Sequence, residues 1–384
     1  MNGLDVIVVG GGLAGSLVAL GAARKGLSTA LVSPLSHFQD LRTTMLMDEG
    51  ICFLKEIGVW DSLQHAATPI SAIKILDMTG SLISAPDAIF QSSEIGLESF
   101  GYNFSNHALM TILKQEISRN ALIHCFDAVV DEVQVEEKEV SVLLSTGERM
   151  TSRLLVGSDG RHSHIRKKLC FGEKQWLYPQ TALVFNFKHS IPHNGLCTEL
   201  HKFPGTMTQV PMMDNCSGFV WIMEPQEAKL YMKIPLEELS RKMEQSLYSF
   251  LGAIEIITEV QSFPLSGMIS HRFGQGRVIL VGESAHSLPP ICAQGFNLSM
   301  RDVIVLLDLI RNNQTSFKNV GDRFHAIRRG DIIKRVIGTD LFNRSLFSKY
   351  PFLQILRAGT CHALERITPL RHLVMRKSLF LSDL

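Results

Sequence analysis

Apolar positions open the chain in short unbroken runs separated by one stretch at helical spacing. Leu4–Val9 is apolar except at Asp5, the pattern of a strand buried on both faces of a parallel sheet. Leu13–Lys25 carries Leu13, Leu17, Leu20 and Ala23 along one helix face and stops at Gly26, where a helix-terminating glycine belongs. Ser28–Val32 is a second strand-like run, so the chain begins strand–helix–strand. Thr43–Gly58 is predicted as a helix through Leu46, Ile51, Leu54 and Ile57. Ser105–Arg119 is predicted as another, with Ser105 as N-cap and Leu109, Ile112, Leu113 and Ile117 on one stripe.

The period then changes. Val133/Val135 and Val140/Val142/Leu144 alternate, with a turn at Ser145-Thr146-Gly147, so Val129–Met150 reads as a small antiparallel meander. Arg153–Val156 returns to the buried-strand pattern. Strand-like runs at Thr181–Phe187, Gly218–Met223 and Ala228–Ile234 accompany a helix-like Glu237–Leu251. This is a candidate second domain. Val278–Val281 re-enters the first, and the tail from Asp322 to Leu384 is predicted mostly helical. The expected organisation is an α/β domain of residues 1–75, 106–177 and 268–315, interleaved with a mixed-sheet substrate domain of 76–105 and 178–267. Residues 316–384 complete it as a C-terminal helical region.

Composition narrows the function. A formal net charge of +1 supplies no basic field for nucleic acid. The seven cysteines are odd in number, widely spaced and lack a CxxC pair, which argues against a disulfide framework or zinc site and for a reducing cytosol. No uncharged stretch reaches the roughly 20 residues of a membrane span. The histidines, His162, His164 and His271 among them, show no metal-ligand spacing, so no metal is expected.

Three motifs carry candidate chemistry. Gly10-Gly11-Gly12-Leu13-Ala14-Gly15 follows a strand and opens a helix. Gly10 permits the tight turn, Gly12 lets the backbone approach a pyrophosphate, and Gly15 lets helix and strand pack closely. The helix N-terminus, with Leu13 and Ala14, offers free N–H groups to phosphate. The second strand ends at Ser33, where a carboxylate would take ribose hydroxyls; a serine binds them more weakly, and this motif leaves FAD and NAD both open. The second motif is Gly157-Ser158-Asp159-Gly160-Arg161-His162-Ser163-His164-Ile165-Arg166. The third runs from Val281-Gly282-Glu283 through His286 and Pro289-Pro290 to Gln294-Gly295-Phe296-Asn297-Leu298.

In this order and at these separations the three segments resemble the fingerprints of single-component flavoprotein aromatic hydroxylases. Gln294–Leu298 with Met300-Arg301-Asp302, and Thr339-Asp340-Leu341 with Leu346-Phe347, resemble the ubiquinone-biosynthesis hydroxylases within that group. The likeness covers nearly the whole chain and is weakest over residues 180–265. It implies a Rossmann-like FAD-binding domain of the glutathione-reductase type, with FAD as cofactor and NADPH or NADH as reductant. It places Arg42 against the FAD phosphates, and Asp159, Gly160 and Arg161 near flavin and nicotinamide, with Arg161 and Arg166 offering charge to a pyrophosphate. Gly282 and Glu283 would take the ribityl hydroxyls, Glu283 standing where Asp is commoner. Pro289, Gln294, Gly295, Phe296 and Asn297 would bring a helix N-terminus to the flavin, with Ala293 where many members have Gly.

The implied reaction hydroxylates the ring of a polyprenylated phenol with O2 through a flavin C4a-hydroperoxide. The chemistry is the cofactor's, so no catalytic side chain is expected and His286 is read as a loop-positioning residue. Ala182–Phe187 and Phe219–Met223 are expected to form part of a water-excluding wall. Other ubiquinone-biosynthesis proteins are candidate partners. A cytoplasmic location is implied, and the basic amphipathic tail Leu364–Phe380 is a candidate for peripheral contact with the inner face of the membrane. Three rivals stand beside this reading: a hydroxylase of a small soluble phenol, a flavin-dependent reductase of isoprenoid chains, and a non-catalytic flavin-binding scaffold.

Overall fold

Strand β1 (Leu4–Val9) runs into helix α1 (Leu13–Arg24) and returns as β2 (Thr29–Val32), parallel to β1. Leu17, Val18 and Leu20 of α1 are fully buried, and Gly26 at φ +82 closes the helix in the left-handed region that favours glycine. The structure is a computed structural model that describes residues 3–35, 40–79, 86–202, 205–290, 294–312, 316–346, 362 and 366–378.

The helix expected over Thr43–Gly58 is half strand. Residues Thr43–Met47 form β3, and α2 starts only at Asp48 and ends at Glu56. The stiff β-branched Thr43 and Thr44 favour an extended start. The alternation Met45 and Met47 to one apolar cluster, Leu46 to another, is the period of a strand. Asp48 and Glu49 then supply the negative charge a first helical turn favours. A short helix α3 (Trp60–Leu63) leads to β4 (Thr68–Pro69), β5 (Ala72–Asp77), β6 (Ala88–Gln91) and β7 (Gly101–Ser105). Ser105 caps α4 (Asn106–Ser118), its hydroxyl accepting from Ala108 N at 3.1 Å. Then come β8 (Ile123–Phe126) and the antiparallel meander β9 (Val130–Val135), β10 (Val140–Leu144) and β11 (Arg149–Gly157). Helix α5 (His164–Lys168) follows.

The second layer is built on β12, a 17-residue strand from Glu173 to His189. The domain boundary expected between 177 and 178 falls inside this strand, and the one between 75 and 76 falls inside β5. Strands β13 (Leu196–Lys202), β14 (Gly205–Pro211) and β15 (Cys216–Met223) follow. The run Ala228–Ile234 is not a strand: Pro225–Tyr231 is helix α6, with Pro225 in the first helical turn and Ala228 its single buried residue, so there is no alternating apolar face to bury. Next are α7 (Leu236–Ser246), β16 (Ile254–Ile256), β17 (Gln261–Ser270), β18 (Gly274–Gln275), β19 (Val278–Leu280) and β20 (His286–Ser287). The chain continues through α8 (Gln294–Arg311), α9 (Val320–Leu346) and α10 (Thr368–Ser378). The described tail is thus helical; residues 347–361, Phe347 included, lie outside the described residues.

Two large sheets result. One has the order β18-β19-β11-β1-β2-β8, with β10 and β9 continuing from β11; β19, β11, β1, β2 and β8 run parallel. The other has the order β20-β17-β12-β15-β14-β13-β5-β6, with β16 beside β12. A three-stranded sheet β3-β7-β4 lies in the chain between their parts. Among the described residues no helix is long and apolar enough to cross a membrane.

Candidate active site

All three motifs leave the carboxyl ends of adjacent parallel strands. Gly10 follows β1, Ser33 follows β2, Ser158 follows β11 and Gly282 lies just beyond β19. The last backbone bonds of these strands run side by side across the crevice floor: Gly10 N to Val32 O at 2.8 Å, Ser158 N to Val9 O at 2.7 Å and Val281 N to Gly157 O at 2.9 Å. Open parallel sheets bind ligands beyond these ends. Side chains stitch the motifs together. Ser158 Oγ donates to the carbonyls of Val9 and Gly10, and Ser284 Oγ to that of Gly157 at 2.6 Å.

The glycines divide by what surrounds them. A Cβ on Gly15 would stand 1.9 Å from Gly10 O, and one on Gly10, at φ +109, 2.4 Å from Ser158 O; neither place admits a side chain. Around Gly12, Gly160 and Gly295 there is nothing within 4 Å of that position. Gly12 is the N-cap of α1, no side chain caps it, and the first turn holds no acidic residue. Leu13 and Ala14, half-buried, thus open a helix whose first N–H groups face an open crevice, the arrangement that binds phosphate. Ser33 stands against Gly11, 2.9 Å from where a Cβ would be, and donates to Pro34 O. These residues fit the adenosine pyrophosphate end of FAD.

The Glu283 charge, 241 positions away in sequence, is the smallest of the influences that raise the Arg42 guanidinium above its ordinary value, after the hydrogen bonds and charge of Asp40. Arg42 is held by Asp40 through two 2.8 Å bonds and lies over the Phe263 ring at 5.5 Å. Burial alone would push the Asp40 carboxyl up; Arg42 and Asn106 outweigh it and hold it below its ordinary value. Glu283 is exposed, Gly282 at φ +65 makes the turn before it, and Pro289 is buried. Ala293 lies outside the described residues.

Several expected site side chains are occupied with protein. The Asp159 carboxylate accepts from Ser163 Oγ at 2.5 Å, His164 N at 2.7 Å and Ile165 N at 3.1 Å, which makes it a cap for α5. Arg161 bridges Ser266 and Ser287 at 2.6 and 2.7 Å. Arg166 is 1% exposed, bonded to Ser284 O, Arg161 O and Glu173, so it offers no charge to a pyrophosphate. The Asn297 amide clasps β3, donating to Met45 O at 2.8 Å and accepting from Met47 N at 2.9 Å. That leaves the backbone N–H groups of Gln294, Gly295 and Phe296, with no acidic residue in the first turn of α8, to meet a ligand.

Behind α8 lies a charge network that sequence reasoning missed. Asp302, fully buried, accepts from Gly282 N at 3.0 Å, His286 Nε2 at 2.6 Å and Arg328 Nε at 2.7 Å. Burial would raise its pKa; His286, Arg328 and the Gly282 N–H outweigh it and lower it. Arg328 continues to Asp331, which also meets Arg301 and Arg335, and Arg335 donates to Gln294 Oε1 at 3.2 Å. His286 thus holds the turn of the third motif. The signal was present as His286, Asp302 and Arg328, yet 16 and 26 residues of separation hide the pairing. Farther along α9, Asp340 accepts from Tyr178 at 2.6 Å and from Arg344, tying that helix to β12.

The wall expected over Ala182–Phe187 and Phe219–Met223 divides by strand alternation. Leu183, Phe185, Phe187, Phe219, Trp221 and Met223 pack into a core with Leu239, Met243 and Leu247. Ala182, Val184, Val220 and Ile222 lie on the opposite face with Leu265 and Phe263. Asn186, on that same face, donates to Leu41 O at 3.2 Å, and Gly218 abuts Thr43, so this is the face turned toward the Arg42 segment. Beside it a cleft of about 240 Å³ is lined by residues including Phe104, Met212, Met213, Cys216 and Ile257. Among the described residues no cluster of His, Cys, Asp and Glu could hold a metal, and the five described cysteines are free.

Residues 3–313 match the FAD binding domain family. The chain belongs to that family: it is a flavoprotein whose cofactor is FAD. Among curated relatives, the ubiquinone hydroxylase UbiL of Rhodospirillum rubrum is 27% identical over 98% of this chain and 89% of its own length. The 3-demethoxyubiquinol 3-hydroxylase of Escherichia coli is 24% identical over 98% of both chains. Among solved structures, HpxO of Klebsiella pneumoniae complexed with FAD and uric acid superposes with TM-score 0.80 at 15% identity, covering 99% of this chain and 97% of its own. The p-nitrophenol 4-monooxygenase PnpA of Pseudomonas putida gives 0.78 at 18%, covering 99% and 98%. These structures share the fold.

Proposed function

We propose that the protein is an FAD-dependent monooxygenase that hydroxylates the aromatic ring of a polyprenylated phenol in ubiquinone biosynthesis, using NADPH or NADH and O2. The observation that supports the reading is that Gly10, Ser33, Ser158 and Gly282 all follow the carboxyl ends of adjacent parallel strands, the place where open sheets take a ligand. Its full-length similarity to ubiquinone hydroxylases supports the substrate class.

FAD, when bound, supplies the oxygen-activating chemistry. The chain's own residues bind, orient and shield. The N-terminus of α1 would hold the pyrophosphate, with Arg42 supplying positive charge. Gly282 and Glu283 would hold the ribityl hydroxyls. The N–H groups at the start of α8 would offer donors to negative charge on the flavin, as in an oxyanion site. Ala182, Val184, Val220 and Ile222 would exclude water from the crevice. The test is an absorbance spectrum of purified protein followed by NADPH in air with a ubiquinone-precursor phenol. Flavin bands that bleach and return with a hydroxylated product are expected. A protein that takes up no FAD overturns the reading.

A further inference from the structure

Helix α10 has two apolar faces, and the fold uses one. Its inner face docks on the edge of the nine-stranded sheet. Arg371 forms a two-pronged ion pair with Glu94, at 2.6 and 2.7 Å, and its guanidinium lies 4.5 Å over the Phe90 ring. The pair holds the Glu94 carboxyl below its ordinary value. Met375 is 5% exposed and enters the cluster that contains Met45, Met47, Phe100 and Cys197. The outer face carries Leu370, Leu373 and Val374 at 37%, 43% and 37% exposure, with Ile367 at 49% just before the helix. At one turn per 3.6 residues these three fall on one side, away from Met375.

Arg371 is taken up by Glu94 on the inner face, and the other charged residues of the helix segment are cations. Residues 366–378 hold Arg366, Arg371, His372, Arg376 and Lys377 and no acidic residue. An aliphatic row flanked by cations matches the boundary of an anionic lipid layer, where side chains sink to the acyl level and the cations meet headgroups. The apolar cluster under α10 also leads inward, through Met45 and Met47, to the strand that Asn297 clasps at the start of α8.

We infer that the outer face of α10 rests on an anionic membrane surface, with Leu370, Leu373 and Val374 inserted, and so presents the substrate sheet to a lipid-borne substrate. The choice of a membrane over a protein partner rests in part on the substrate reading above; the docking itself is measured without substrate.

The experiment floats the FAD-loaded full-length protein with phosphatidylcholine vesicles, with and without about one-third phosphatidylglycerol. Binding to the anionic vesicles is expected to exceed that to the neutral ones by roughly tenfold and to weaken as salt is added. The variant Leu370→Ser/Leu373→Ser/Val374→Ser should lose roughly tenfold in partition while keeping its FAD content and Tm. Ile337→Ser/Leu341→Ser, which removes still more exposed aliphatics of α9, should bind as the parent does. The inference is overturned if the parent ignores anionic vesicles, if the triple variant binds unchanged, or if the α9 variant loses as much. Self-association in solution that only the triple variant abolishes, without vesicle binding, makes the face an interface between copies and also overturns it. Vesicle binding without turnover of a polyprenylated phenol would leave the docking standing and remove the substrate reading instead.

Discussion

The two sides of the crevice are built by different means. The nucleotide side is backbone: strand ends, two helix N-termini, and two tight glycines, Gly10 and Gly15, in places that admit no side chain. The proposed substrate side is side chains on a sheet whose two faces pack differently, one against α7 and the other turned to the Arg42 segment. A backbone site tolerates no change of residue at a few positions and little dependence on the rest. A side-chain face tolerates many substitutions, and each of them alters what it excludes. That contrast explains why binding FAD and choosing a substrate can vary independently in one fold.

The largest effects are expected in buried groups. Asp302→Ala removes the buried carboxylate that joins His286 to Arg328, leaving Arg328 with Asp331 as its carboxylate partner, and should cost about 3–5 kcal/mol, read as a large fall in denaturant midpoint with FAD bound. Phe185→Ala empties part of the α7 core and should also cost about 3–5 kcal/mol, while the FAD Kd of the folded fraction stays near that of the parent. Gly15→Ala drives a methyl toward Gly10 O and should cost about 1–3 kcal/mol together with most FAD retention. Gly12→Ala, with open space around it, should leave the apoprotein Tm unchanged and weaken FAD alone; equal damage from both glycine variants would erase the division between packing and binding glycines.

Smaller effects sharpen it. Ile222→Val on the crevice-facing side should cost about 0.5–1.5 kcal/mol, yet raise the fraction of NADPH oxidised to H2O2. A hydrogen-peroxide assay beside product quantification reads it. At the far end of β12, His189 is 5% exposed, with Nδ1 bonded to Ile191 O at 2.9 Å and Nε2 to Ser217 Oγ at 3.0 Å. Burial, followed by neighbouring His193, lowers its pKa from the ordinary 6.5. The fold therefore holds it neutral while the unfolded chain takes up a proton, so its contribution is complete above pH 6.5 and is lost as the pH falls below it. His189→Gln should flatten that part of the stability–pH curve.

The same contrast decides what could be read from the sequence. Glycine spacing after an apolar run reports a backbone turn directly, so β1, α1, β2 and the positions Gly10, Gly12 and Gly15 were legible. A strand was legible in Thr181–Phe187, but which face turns to the crevice depends on the register of β12 against β15 and on the Asn186–Leu41 contact. Thr43–Met47 misled because Leu46 keeps helical spacing with Ile51 and Leu54 while its neighbours Met45 and Met47 serve another cluster. Asp159 looked like a ligand-facing acid; the cap it forms on α5 depends on Ser163, His164 and Ile165 N–H directions that only the fold supplies. The Asp302 network joins α8 to α9 and to the turn at Gly282, three segments that no local pattern connects.

The most direct test of the central claim is turnover of a polyprenylated phenol by the FAD-loaded protein with NADPH under isotopically labelled O2, read by mass spectrometry. One labelled oxygen on the aromatic ring per NADPH consumed in the coupled reaction is expected. A product whose oxygen comes from water, or a reduced isoprenoid chain formed without O2, would contradict it.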